Sequence, residues 1–229
     1  MAFGPIMRFT INDLTIELAP LVRESVGEFV NIAHGGGMQR HSVSRFLARR
    51  NSPVLEDEYE WYDRVRLSKE QISWGIWHIE GDARTIIGTT ALRELGVNDA
   101  GYIRQAENGS VIFRPEYWGK GIGSAVHKAR TWYAFTQLGI HRVHASVVKG
   151  NKGSSKALSR SGYTLIYTSR NNHFVDGKMH HEQHFECINP YDTFWDQWWG
   201  SDEAPSGALE ARLLTREAMS WAERNVTLT

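Results

Sequence analysis

Between a β-type run and a helical one lies Phe113-Arg114-Pro115-Glu116-Tyr117-Trp118-Gly119-Lys120-Gly121-Ile122-Gly123-Ser124, with three glycines at alternate positions. Glycine lets a main chain approach a phosphate closely, the first turn of a helix offers N–H groups without helical partners, and the positive end of the helix dipole stands behind them. Lys120 adds charge. By residue type this is an anion site, although Gly-x-Gly-x-Gly alone serves a tight turn equally well. Two other phosphate loops are excluded by spacing. No Gly-Lys-Ser/Thr ending is present, and no early βαβ unit with an acidic residue some twenty positions on.

A second group follows the next β-type run: Asn151-Lys152-Gly153-Ser154-Ser155-Lys156-Ala157-Leu158 and then Ser161-Gly162-Tyr163. Ser154 has the hydroxyl to act as a proton donor, and serine is also a favoured helix N-cap. Tyr163 and Tyr167 carry alternative acidic hydroxyls, with packing the ordinary role of Tyr163. His173 stands near a hairpin turn, where it either caps the loop or serves as a base. His144 alternates with Ser146 along a strand, so this face could point at a site, or hold an ordinary core histidine. His180-His181-x-x-His184 resembles a metal cluster, but on a strand His180 and His184 share one face and His181 takes the other, so no metal is expected. Met38, Gln39, Arg40 and His41, after the Gly35-Gly36-Gly37 break, are candidates for shaping an acceptor pocket.

These residues need elements to position them. Alternation over residues 8–18 suggests an opening strand interrupted at Asn12-Asp13, and residues 22–32 space apolar side chains as a helix. Residues 56–71 begin acidic and end basic, in keeping with the helix macrodipole. Residues 73–80 and 85–95 read as a hairpin, with a third strand over 109–113. A long helix over 122–138 ends at Gly139, a strand covers 141–148, a short helix covers 154–161, and residues 163–169 and 179–188 close around Asp176-Gly177. After Pro190 come Trp195, Trp198 and Trp199, read as packing against the domain or a partner subunit, which leaves a homodimer open, and then an amphipathic helix over 208–224.

The chain here resembles the GNAT superfamily, and within it the RimJ/RimL-like ribosomal-protein N-acetyltransferases. The resemblance rests on Trp118-Gly119-Lys120-Gly121, on Asn151 with Ser154, Leu158 and Gly162-Tyr163, and on Phe174-Val175-Asp176-Gly177-Lys178-Met179-His180. It implies an α/β fold: a mixed, mostly antiparallel seven-stranded sheet flanked by helices, occupying residues 1–188, with 189–229 as a Trp-rich C-terminal extension. It also implies acetyl-coenzyme A as co-substrate and transfer of an acetyl or short acyl group to a primary amine by direct attack on the thioester. The acceptor would be a protein N-terminus or a small-molecule amine. Coenzyme A would be held by Phe113, Arg114, Trp118, Gly119, Lys120, Gly121, Ile122, Gly123, Ser124, Asn151, Ser154 and Lys156, with Asn151 against the pantetheine arm. Ser154, His173 and Tyr167 are the catalytic candidates, Ser154 facing the leaving thiolate. Ser124-Ala125 departs from the small-residue-Glu-Ala of many relatives, and His173 stands where the ribosomal-protein enzyme has a glutamate. An ammonium cannot attack a thioester, so a base must take its proton, and an imidazole with a reference pKa of about 6.5 suits that task.

Composition bounds the alternatives. Lys+Arg and Asp+Glu both number 26, so the formal charge is zero and the basic field of a nucleic-acid binder is missing. This weighs against a tRNA-modifying variant of the reading; antibiotic modification and a non-catalytic coenzyme A binding module remain as rivals. No apolar run approaches the roughly twenty residues of a membrane helix. With Cys187 as the one cysteine, no internal disulfide can form, and a cytoplasmic protein is expected.

Overall fold

The structure is a computed structural model that describes residues 2–30, 37–47, 52–99, 101–200 and 202–229. Gly35, Gly36 and Ile32 lie outside the described residues. Among the described residues nine strands form one sheet: β1 (Met7–Ile11), β2 (Leu14–Ala19), β3 (Ile72–Glu80), β4 (Ala83–Val97), β5 (Arg104–Ile112), β6 (Arg142–Val148), β7 (Thr164–Val175), β8 (Lys178–Ile188) and β9 (Thr227–Leu228), in the spatial order β7-β8-β6-β5-β4-β3-β2-β1-β9. The helices are α1 (His41–Ser44), α2 (Leu55–Leu67), α3 (Ile122–Thr136), α4 (Lys152–Ser159), α5 (Asp192–Trp199) and α6 (Ser206–Asn225).

The class expected from sequence is present, but the strand count differs, nine against seven. One extra strand comes from Asn12 and Asp13. Both have positive φ (47° and 63°), the pair a two-residue primed turn requires, so the interrupted strand is a hairpin with Ile11 opposite Leu14. The same chemistry closes β7 and β8, where Asp176 and Gly177 have φ of 51° and 74° between Val175 and Lys178. The other extra strand is β9, two residues that pair with Met7 and Arg8. Residues 23–29 form a 3-10 helix in place of the expected α-helix. β5 begins five residues before the expected start, at Arg104 rather than Gly109.

The main core lies where α3 and α6 cover the sheet. Ile122, Val126, Ala129 and Tyr133 of α3 join Trp74, Ile76, Ile87, Val143 and Phe185 of the strands, and Ala218 and Met219 of α6 complete the cluster. The C-terminal segment thus contributes to the same core as the residues before it. Trp195 is buried, with the Arg212 guanidinium over its ring, and Arg142 lies over Trp198. Cys187 is also buried, and burial pushes its thiol pKa up to about 12, so its role is packing.

All pairings between these strands are antiparallel except β5–β6, and that exception positions the site. The parallel ladder covers Gln105, Ala106 and Glu107 opposite Arg142, Val143 and His144, and then stops, although β5 runs on to Ile112 and β6 to Val148. The C-terminal halves of these two strands separate. Main-chain groups facing the opening have no ladder partner, so they remain free to bond to something placed between them.

Candidate active site

The Gly-rich segment leaves β5, makes one 3-10 turn at Pro115–Tyr117 and enters α3. Gly119 and Gly121 have φ of 76° and 84°, backbone that other residues adopt only with strain. No side chain caps α3, because its N-cap is Gly121, and the first cap-side bond runs from Ala125 N to Gly121 O. The amides of Ile122, Gly123 and Ser124 therefore point outward at the positive end of a fifteen-residue helix. The loop is anchored by Asn12 Nδ2 donating to Lys120 O (3.0 Å) and by Trp118 Nε1 donating to Ile112 O (2.8 Å).

A cavity of about 490 Å³ opens from these amides. Trp118, Gly119, Gly121, Ile122, Gly123 and Ser124 line one side, and Asn151, Ser154, Lys156 and Arg160 of α4 and its approach line the other. A second cavity of about 310 Å³ continues between the separated strands, with Asn108, Gly109 and Ser110 on one wall and Ala145, Ser146 and Val147 on the other. His173, Glu182 and Glu107 also line it. Ser110, Val111, His127, Asn151 and Ser154 line both cavities, as do Phe46 and Leu47, so the two chambers meet at these residues.

The sequence candidates divide accordingly. Asn151, not Ser154, is the N-cap of α4: its Oδ1 accepts from Ser154 N (3.2 Å). Among the described residues the Ser154 hydroxyl has no hydrogen-bond partner, and it lies at the junction of the cavities. Lys156 faces the first cavity. Phe113 and Arg114 line neither cavity. The Phe113 ring is buried against Phe29, 5.0 Å between centroids, and Arg114 donates to Ile86 O and pairs with Glu28. Lys120 contributes its main chain to the loop, while its ammonium lies 5.3 Å from the Tyr117 ring. Tyr167 is exposed and stacked on His184 outside both cavities. Tyr163 is buried, bonded to Thr131 at 2.6 Å.

His173 does reach the site. Its Nε2 stands 3.1 Å from Glu182 Oε1, close but off the line of a good hydrogen bond. Burial alone would raise the Glu182 pKa; hydrogen bonds from Asn172 and Ser146 and the close approach of His173 outweigh it and hold the carboxyl below its ordinary value, so it is ionised at neutral pH. Glu107 is shifted the other way, raised by burial against the opposing charge of Arg93. Burial, then Arg142 and His184, lower His144 to about 4, and its Nε2 lies 3.3 Å from Gln105 Oε1.

His180 and His181 each bond to main chain, at Lys149 O and Asn171 N, and His184 meets Ser169 Oγ. Among the described residues no cluster of three or more His, Cys, Asp or Glu is placed to hold a metal, and no helix is long and apolar enough to cross a membrane. The segment after Gly37 does wall the site, but through Ser42, Val43, Phe46 and Leu47 and not through residues 38–41. Gln39 donates instead to Pro53 O. Sequence reading missed Glu182 and His127, whose only signals were polar residues inside otherwise apolar or mixed elements.

A glycine-opened helix start beside a sheet that splits at its parallel pair leaves outward-facing amides at one end and an open slot between two strands. The arrangement suits an acyltransferase with an acyl-coenzyme A donor. Residues 16–164 match the family described as acetyltransferase (GNAT) domain, so the chain belongs to the GNAT acetyltransferases and is an acetyl-coenzyme A dependent N-acetyltransferase. The uncharacterized N-acetyltransferase YoaA of Bacillus subtilis is 29% identical over 151 residues, 65% of this chain and 81% of that protein. The probable N-acetyltransferase YjcK of the same organism is 30% identical over 128 residues, 56% of this chain and 67% of its own. Among solved structures, Mycobacterium smegmatis RimJ in complex with CoA-disulfide superposes with a TM-score of 0.66 at 15% identity, covering 97% of this chain and 96% of that one. Spermidine N-acetyltransferase of Vibrio cholerae, in complex with CoA and spermine, gives 0.65 at 17% identity, covering 76% and 95%. These two likenesses are of fold.

Proposed function

We propose that the protein transfers an acetyl group to a primary amine delivered through the second cavity, with His173 as base, Glu182 holding that base, and Ser154 as proton donor to the leaving thiolate. The observation that carries this reading is the 3.1 Å approach of His173 to an ionised Glu182 in the chamber that opens onto Ser154. The amides of Ile122, Gly123 and Ser124 hold the donor's pyrophosphate, with Trp118, Gly119, Gly121 and Lys156 around it. Asn151 and the open edges of β5 and β6 hold the arm. His173 takes a proton from the acceptor ammonium; the freed amine forms the new N–C bond as the C–S bond breaks; the thiolate takes the Ser154 proton, the second proton left on the acylated nitrogen passes through solvent to restore Ser154, and His173 releases its own proton to solvent.

The acceptor is a primary amine that is positively charged until it reaches His173, since Glu182 places a negative charge where the amine enters. Both a peptide N-terminus, the class of the RimJ/RimL branch, and a small-molecule amine meet this description. The extent of the RimJ superposition, nearly the whole chain, supports the first, and the spermidine enzyme supports the second. A screen of peptides with free N-termini and of polyamines, read by mass spectrometry of the products with acetyl-coenzyme A, tests the reading. Acetylation of one class, lost in His173→Gln, is expected. Tight coenzyme A binding without any acetylated amine would return the chain to the class of non-catalytic binding modules.

A further inference from the structure

His127 sits on the inward face of α3, 4% exposed, and lines both cavities. One turn further on, Arg130 is fully buried among the described residues with no carboxylate beside it. Its Nη1 donates to Thr90 Oγ1 and to Gly109 O (3.3 Å), which ties it to β4 and β5, and its Nη2 donates to His127 Nδ1 across 2.7 Å. A guanidinium has donors only, so Nδ1 must be the acceptor, and the imidazole proton is on Nε2. Burial, and then the charge of Arg130, keep this histidine neutral. Nε2 has no protein partner among the described residues, yet it is not among the sealed, partnerless side-chain nitrogens, so it faces the chambers that His127 lines.

The acyl carbon must sit where the donor's chamber meets the acceptor's, because attack occurs there. Of the polar side chains at that junction, Ser110 is bonded to Thr90 Oγ1, Asn151 caps α4 and Ser154 is assigned to the sulfur. We propose that His127 is a catalytic residue of the transfer, its Nε2–H donating to the thioester carbonyl oxygen and stabilising the negative charge that develops there as the amine attacks. Arg130 is its positioning residue, fixing the tautomer and the ring plane. This rests on the acetyl-transfer reading above. A donor fixed before the reaction, in a site shielded from water, reorganises little as charge appears.

The test needs no acceptor. Wild type, His127→Leu and His127→Gln are each titrated with coenzyme A and with acetyl-coenzyme A by calorimetry, and the carbonyl stretch of bound carbonyl-13C acetyl-coenzyme A is read by infrared difference spectroscopy. Wild type should move the stretch to lower wavenumber and prefer acetyl-coenzyme A. His127→Leu should leave coenzyme A affinity unchanged, abolish the shift and cut that preference by about three- to tenfold, the size of one neutral hydrogen bond. His127→Gln, which keeps an acceptor for Arg130 and an amide donor, should retain part of the shift, and it decides the matter if the leucine variant does not fold. A stretch as far displaced in the variants as in wild type overturns the proposal, as does an undisplaced stretch in wild type that binds both ligands. Failure of wild type to bind either ligand would instead overturn the acyltransfer reading itself.

Discussion

His41 Nε2 lies 2.7 Å from Asp176 Oδ1, although 135 residues separate them, and Arg45 reaches the other carboxylate oxygen at 3.4 Å. The tip of the β7–β8 hairpin is therefore latched to α1 and the residue after it. His173, three residues before Asp176, rides on that hairpin beside the second cavity.

Replacing Asp176 with Ala should release the tip. Both contacts are partly exposed, so each is weak, and a rise of about two- to fivefold in the acceptor KM is expected, with unchanged affinity for coenzyme A. Steady-state kinetics alongside calorimetry would check this, and loss of coenzyme A binding would show that the latch supports the whole site.

Removal of the proposed base in His173→Gln should lower kcat by about 10²–10⁴ while coenzyme A binding persists. Glu182→Gln removes the carboxylate 3.1 Å from that imidazole, so kcat should fall in the same assay, by less than in His173→Gln. An unchanged kcat in His173→Gln would place the base elsewhere.

Gly121 has φ of 84°, and a Cβ there would stand 3.5 Å from Ile11 Cγ1. The contact is ordinary, so the cost of Gly121→Ala is conformational, about 1–2 kcal/mol for a left-handed L-residue, relieved by turning the loop amides away. Coenzyme A affinity should fall by about tenfold or more on that scale. Calorimetry reads the loss, and circular dichroism should show the fold intact.

Acid should weaken the fold through His144. Its folded pKa of about 4 lies below the unfolded value of 6.5, so the unfolded chain binds a proton first, and stability declines as pH falls from about 6.5 toward 4. His127, also lowered, contributes in the same direction. Raised carboxylates such as Glu107 and Glu186 oppose this slope, so the diagnostic quantity is a difference. Urea midpoints at pH 7.5 and 5.0 should diverge less in His144→Gln than in wild type.

Met219 of α6 is 1% exposed in the main core. Met219→Ala should cost about 2–5 kcal/mol of stability, seen as a lower melting temperature, and should lower cofactor binding only through unfolding.

Local chemistry explains how much of the fold and the site is legible in the order of residues. Gly119, Gly121 and Gly123 between a strand and a helix, Asp176-Gly177 between two strands, and Gly139 after a helix each act through backbone conformation, which neighbours in sequence largely determine. The Gly-rich helix start, the α/β class and the GNAT resemblance follow from these and from the motif residues around Asn151 and Ser154. Asn12-Asp13 carries the same turn signal, but its reading as an interruption hides a hairpin.

What the residues alone leave open depends on side chains that meet across long separations. Phe113 and Arg114, adjacent to the loop in sequence, turn into a second core and an ion pair, while Tyr167 stacks on His184. The division of labour between Asn151 as cap and Ser154 as free hydroxyl is a matter of one turn's geometry. Periodicity records how apolar residues repeat, and it has no term for polar pairs such as His173–Glu182 or His127–Arg130, whose partners and desolvation are set only when strands and helices pack. The class and the glycine-opened helix start could be read from the chain because both reside in contiguous backbone. Which polar side chains reach the point where the two chambers join was settled by tertiary packing, which brings together groups that lie far apart in the chain.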